Sequence, residues 1–234
     1  MFRLCSRFVR HAALLASFLS LTLAAAAQAE EARLEALARV APGLDRQVLE
    51  NALAAMQCAV ANGAAPADRL AVIDYSKPSS TRRFWLFDLA QPRLILNDFV
   101  AHGRRSGENF ATSFSNSLGS YQSSLGLFRT AESYSGKHGY SLRMDGLERG
   151  INDLARQRAI VIHAADYVNP ALVRSQGRIG RSLGCPAVRP EVARMVIDEL
   201  KGGQFMFAWY PDKQWLKSSA LLNCRGNRQL ASAR

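Results

Sequence analysis

His163 and Cys185 stand 22 residues apart in the stretch Ile160–Val188, IVIHAADYVNPALVRSQGRIGRSLGCPAV. A thiol and an imidazole are the minimum for nucleophilic catalysis, the imidazole taking the proton that makes sulfur reactive. A histidine or cysteine taken singly is more often a packed core residue. The local sequence argues for display instead. Ala159-Ile160-Val161-Ile162 is short, apolar and largely β-branched, so it reads as a buried strand with His163 at its end. Gly184 marks a tight turn in which the backbone comes close to a neighbour. Pro186 keeps Cys185 out of helical geometry.

The rest of the chain must position these two groups. Residues 30–61 show helical spacing (Leu34, Leu37, Val40, then Val48, Leu49, Leu53, Met56, Val60), broken at Pro42-Gly43, with Asp45 placed to cap a second helix. This predicts a helical hairpin packed on a larger domain, since so few residues cannot bury a core alone. Leu70–Tyr75, Arg83–Leu89 and Arg93–Ala101 read as an antiparallel meander. Arg104–Gln122 has no apolar periodicity, and a loop of that length is usually functional. Strand character returns at Ser123–Thr130 and Tyr140–Met144, with a turn over Tyr134–Gly139. Short helices are expected from Asn169 to about Ser175 and over Pro190–Leu200. Phe205–Tyr210 is a last strand. The segment 211–234 is expected as a tail, ordered only if Cys224 is pinned.

The first 29 residues have a different character. Arg3, Arg7 and Arg10 precede the apolar run Ala12–Ala27, and Ala27-Gln28-Ala29 fits a small-x-small cleavage site. The run is short for a membrane span and ends at a cleavage signal, so an exported, cleaved leader is preferred to an anchor. No other segment is apolar enough to insert in a membrane. Export implies a periplasmic or wall-associated location. The whole chain carries a formal +11, of which three charges belong to the leader arginines. A basic exported protein suits an anionic polymer such as a cell wall. There is no basic-aromatic array or DNA-binding motif to suggest nucleic acid. Beyond the leader lie three cysteines, Cys58, Cys185 and Cys224. If Cys185 is the working thiol, Cys58 and Cys224 should pair in an oxidising compartment.

Four segments together resemble the L,D-transpeptidase catalytic domain (YkuD-like) family, and within it the murein L,D-transpeptidase branch. Ile162-His163-Ala164 is similar to the family's strand ending in His-Gly. Ser182-Leu183-Gly184-Cys185 is similar to its Ser/Thr-His-Gly-Cys turn. Val100-Ala101-His102-Gly103 and Ser124-Leu125-Gly126-Leu127-Phe128 resemble two further, less specific segments. The likeness covers about Leu70 to Tyr210. Ala164 replaces a glycine, and Leu183 stands where many members carry histidine.

The resemblance implies a mainly β fold: two mixed, mostly antiparallel sheets packed as a sandwich. The helical hairpin and a few short helices are added to it. The domain plan is then a leader (1–29), a helical region (30–66), a catalytic domain (67–210) and the tail. The implied reaction is attack by Cys185 on the bond between a diamino acid and D-Ala in a peptidoglycan stem peptide. An amine on a second stem would resolve the thioester to a 3→3 cross-link. Water would give a carboxypeptidase, and a protein amine a wall-to-protein ligase. A non-catalytic wall-binding module is the remaining alternative. Carbapenems are the expected inhibitors, and no cofactor is implied. His163 is general base, oriented through the carbonyl of Ala164, and the N–H groups of Leu183, Gly184 and Cys185 are oxyanion donors. Ser182, Arg181, His102 and Tyr140 are the substrate-binding candidates, with Arg181 able to meet a stem carboxylate. His102 and His138 could join His163 at a metal, but no ligand-spaced pair supports it, and no metal is expected.

Overall fold

The computed structural model describes residues 28–224. The expected leader falls outside them except for its last two residues, which begin a helix, α1 (28–40). Pro42-Gly43 ends the run, and the Asp45 carboxylate accepts the Gln47 N–H at 2.7 Å to start α2 (Arg46–Ala61). Leu34 and Leu37 of α1 and Val48, Leu49, Leu53 and Met56 of α2 are buried in the same core as the strands. Among the described residues, no helix is long and apolar enough to cross a membrane.

The meander forms as expected: β1 (Arg69–Asp74), β2 (Phe84–Asp88) and β3 (Arg93–Asp98) pair antiparallel. β3 stops at Asp98 rather than continuing to Ala101 because the chain changes partner there. Ala101 N–H donates to Ala187 O at 2.9 Å, and Gly103 bridges to Ser182 in parallel. β4 (Gly126–Gly136) runs longer than its apolar part suggests and pairs with β5 (Gly139–Gly146). The expected six-residue turn contracts to Lys137-His138 at the hairpin tip. A bulge between Thr130 and Ser133 lets this ribbon twist. β6 (Val161–Ala164) follows, then α3 (Pro170–Gln176) and β7 (Ala187–Val188), too short to read from sequence. α4 (Pro190–Leu200) buries Ala193, Val196, Ile197 and Leu200.

β8 (Phe205–Trp209) is buried at every residue, as a strand covered on both faces must be. It pairs parallel with β1 and antiparallel with β4, joining the meander to the β4–β7 half. The sheet order is therefore β3-β2-β1-β8-β4-β5-β6-β7. The fold is mainly β and mostly antiparallel, as expected, and among the described strands the parallel pairs are β1·β8 and β6·β7. The two expected layers are hydrogen-bonded into one continuous ladder, since β8 has a partner on each side.

The segment after β8 is not a bare tail. Asp212 caps a short helix, α5 (Lys213–Ser218), which buries Trp215. The Trp215 indole N–H donates to the buried Glu148 carboxylate at 3.2 Å, and the Ser219 hydroxyl donates to the same oxygen. Cys224 is then joined to Cys58 of α2 by a disulfide across 166 residues of sequence, the pairing expected from the sequence. Cys185 is free. Closing a loop of this size removes chain entropy worth about 5 kcal/mol from the unfolded state. The double variant Cys58→Ala/Cys224→Ala is expected to lose that much in equilibrium urea unfolding. A loss under about 1 kcal/mol would show that the crosslink does not restrain the unfolded chain.

Candidate active site

β6 presents the histidine. Its register places His163 opposite Ser141 of β5 on one side and Ala187 of β7 on the other, so the residue is held from both edges. The imidazole is buried. Its Nδ1 lies 2.8 Å from Ala164 O. A carbonyl only accepts, so Nδ1 carries the proton and Nε2 keeps the basic lone pair. The His138 ring, at the tip of the β4–β5 hairpin, stacks on it with centroids 4.4 Å apart. Burial pulls the His163 pKa down, the Ala164 bond opposes that, and His138 pulls it down further.

β7 brings the thiol to the same edge. Cys185 lies two residues before Ala187, the ladder partner of His163. Its Sγ–H points to Ala159 O at 3.6 Å. Burial raises the thiol pKa, while the Val161 N–H and the Arg158 charge favour the ionised sulfur and lower it. Burial thus disfavours charge on both groups, and the resting pair is a neutral thiol and a neutral imidazole.

The turn that carries the sulfur is locked by two serines. Ser182 Oγ accepts the Gly184 N–H at 3.0 Å and donates to Cys185 O at 2.7 Å. Ser123 Oγ donates to Gly184 O at 3.1 Å and accepts the Gly103 N–H at 3.0 Å. Gly184 sits at φ +125°, where a Cβ would lie 2.8 Å from Gln122 O, so no larger residue fits. Two non-glycine residues with positive φ flank this turn, Tyr121 at 56° and Ala159 at 54°. The Tyr121 carbonyl lies against Gly103, and the Ala159 carbonyl faces the thiol. Strained backbone of this kind concentrates at functional sites.

Several residues expected at the site take other places. Gly184 is an unsuitable oxyanion donor because its N–H is spent on Ser182. Ser182 is buried and braces the turn, so it does not meet substrate. His102 is fully buried: Nδ1 accepts from Arg83 Nη2 at 2.6 Å and Nε2–H donates to Gly107 O at 3.2 Å. Burial and the Arg83 charge push its pKa down to about 3, so it is a neutral structural link. Arg181 binds Glu108 Oε1 at 2.6 Å and the carbonyls of Gly107 and Arg104, holding the 104–122 loop. Tyr140 precedes Ser141 on β5 and so faces away from His163; its hydroxyl donates to Asp198 of α4 at 2.8 Å. Leu183 remains at the rim, 57% exposed.

His138 stacks on the imidazole and Tyr167 lies near the sulfur, while two residues that nothing in their own neighbourhood singles out complete the surroundings: Arg158 beside the sulfur and Ser123 bracing the turn that carries it. The Tyr167 phenol pKa is raised by burial and by the nearby sulfur. The 104–122 loop has no helix or strand, as expected, yet it is bonded down. Asn116 Nδ2 donates to Asp153 at 2.7 Å, and Ser124 Oγ donates to Ser115 O at 2.9 Å. Among the described residues, no group of three or more His, Cys, Asp or Glu side chains is arranged to hold a metal.

Comparison with known proteins places this geometry. The profile of the L,D-transpeptidase catalytic domain family matches residues 40–209, which contain β6, the serine-locked turn, His163 and Cys185. The chain belongs to the L,D-transpeptidase catalytic domain family. The match begins well before Leu70, so α2 lies inside the family's domain. An L,D-transpeptidase from Mycobacterium smegmatis is 16% identical, with a TM-score of 0.38, over 62% of this chain and 59% of that one. An L,D-transpeptidase (Yku) from Stackebrandtia nassauensis is 11% identical, with a TM-score of 0.37, over 70% and 66%. An LD transpeptidase solved in complex with imipenem is 16% identical, with a TM-score of 0.36, over 61% and 59%. The chain thus spans about three fifths of the length of the first of these structures. No curated protein matches the chain.

Proposed function

We propose that this chain is an exported L,D-transpeptidase that acts on peptidoglycan through Cys185. One observation carries the reading. A free thiol and an Nδ1-protonated imidazole are delivered to one sheet edge by the parallel β6·β7 pair, in a chain of this family.

The chemistry runs from the neutral pair. As Cys185 Sγ attacks the carbonyl of the diamino acid, its proton passes to His163 Nε2. The developing oxyanion is met by the N–H groups of Leu183 and Cys185, each such donor being worth about 3 kcal/mol. The C–N bond to D-Ala breaks, and the imidazolium returns the proton to the leaving amine. An acceptor amine then attacks the thioester, loses a proton to His163, and displaces the sulfur, which takes the proton back. The Ala164 carbonyl holds the ring in the required tautomer throughout. Leu183, at the rim, offers an apolar contact to the stem peptide.

Export is supported by the Cys58–Cys224 disulfide, which needs an oxidising compartment, and by the leader pattern at the start of the chain. The excess of basic residues favours association with anionic wall polymers. The strands of 67–210 carry the site, with α2 part of the same catalytic domain and with α1 and the segment after 210 bracing it.

Purified protein given disaccharide-tetrapeptide should form 3→3 dimers and release D-Ala, read by mass spectrometry of muropeptides. Tripeptide without dimer would replace the amine acceptor by water. No product of either kind, with no carbapenem adduct on Cys185, would leave only a wall-binding role.

A further inference from the structure

Arg158 is half-buried beside the sulfur and has an unusual set of partners. Its Nη1 donates to Ser115 O and to Ser124 Oγ, both at 2.5 Å. Its Nη2 donates to Gln122 O at 2.6 Å and to Ser120 Oγ at 3.1 Å. All four acceptors are uncharged, and among the described residues no carboxylate pairs with it. A guanidinium cannot shed its charge at such a site, so an unpartnered cation is held there. Burying a cation without an anion costs stability unless something is gained from it.

The cation is aimed at the turn of the nucleophile. A Cβ built on Gly184 would lie 3.5 Å from Arg158 Nη2 and 2.8 Å from Gln122 O, the oxygen that Nη2 holds. The next residue, Ala159, offers its carbonyl to the thiol from a left-handed backbone. Among the described residues, the other ionisable groups that feel the sulfur are Tyr167 ahead of α3 and Tyr75 after β1, while His163 stands on β6 opposite Ala187, two residues past the cysteine. Both phenols are kept protonated by burial, and the imidazole is neutral at rest.

We propose that Arg158 is the standing countercharge for the Cys185 sulfur, a positioning residue whose missing anion is the thiolate formed during each turnover. Attack transiently places negative charge on sulfur, and thioester resolution expels sulfur as an anion. A cation fixed by four neutral oxygens stabilises both moments without reorganising. The inference rests on the reading of Cys185 as nucleophile.

The test is the pH dependence of iodoacetamide alkylation of the full chain, with Cys185 read by peptide mass spectrometry. Arg158→Gln should shift the Cys185 profile upward by about one unit, making alkylation about tenfold slower at neutral pH. Arg158→Lys keeps the charge and should follow the wild-type profile. A purely structural role would disturb both variants alike and would lower the melting temperature without separating them. Folded Arg158→Gln on the wild-type profile overturns the inference, and so does Arg158→Lys shifted by a full unit. If the glutamine variant does not fold, the lysine variant decides alone. Wild-type protein in which Cys185 is never acylated by substrate or imipenem would instead remove the nucleophile reading, whatever the profiles show.

Discussion

Cys185→Ala is expected to abolish the acyl adduct with a carbapenem and to reduce muropeptide turnover by roughly 10⁴-fold or more, the scale expected when an acyl-transfer nucleophile is deleted. No other thiol in the described residues can substitute, because Cys58 and Cys224 are joined. The fold should survive the change. The turn is held by Ser182, Ser123 and the backbone of Gly184, and the sulfur's own contact is a long one to Ala159 O at 3.6 Å. A melting temperature within a few degrees of wild type would therefore accompany the loss, separating chemistry from unfolding. Cys185→Ser keeps the shape and supplies an oxygen in place of sulfur. A hydroxyl is far less acidic than a thiol, and this imidazole has a lowered pKa, so it is a weak base for the harder proton. The serine variant should also show no adduct. Turnover by Cys185→Ala at the wild-type rate would end the thioester mechanism.

Residues whose surroundings are local in sequence were the legible ones. His163 follows an apolar run, so its place at a strand end could be read directly, and Ala164 lies next to it. The Cys turn announces itself through Gly184 and Pro186. The disulfide followed from counting thiols once one was set aside. What failed was whatever depends on distant partners. His102 looked available because it sits before a glycine in a polar stretch, but Arg83, 19 residues away, closes over it. Arg181 looked free because its partner Glu108 lies 73 residues upstream. Tyr140 is turned away from His163 by a register that its own neighbours do not reveal, and one position on a strand reverses the face a side chain takes. β4 extends past the legible apolar part because Thr130–Gly136, half of a largely exposed ribbon, has little apolar alternation. α5 leaves no apolar pattern in the sequence because its one strongly buried residue, Trp215, docks on Glu148 from another part of the chain. Arg158 gave no local signal at all: an arginine before a strand is ordinary until the loop at 115–124 folds over it.

His163→Ala is expected to cost about 10²- to 10⁴-fold in kcat/KM at neutral pH, the range for removing a positioned general base. The direction of the pH dependence follows from the environment of the pair. The His163 pKa is lowered from 6.5 by burial, so in wild type the acid limb of the profile lies below that value. The Cys185 pKa is raised from 9.0, so the thiol stays protonated across neutral pH and rate there depends on the imidazole taking its proton. Without the imidazole, activity can come only from thiolate already present. The acid limb should vanish, and the residual rate should climb with pH until the thiol titrates above 9.0. The gap between variant and wild type therefore narrows as pH rises. It does not close, because no imidazolium remains to protonate the departing amine. Stopped-flow acylation by imipenem across the pH range measures this directly. An acid limb that persists in His163→Ala would have to belong to another group and would remove His163 as the base. His138→Ala should move the wild-type limb slightly upward, since removing the neighbouring ring charge relieves part of what holds the His163 pKa down. A downward movement would mean that the stack orders the base more than it discourages its proton.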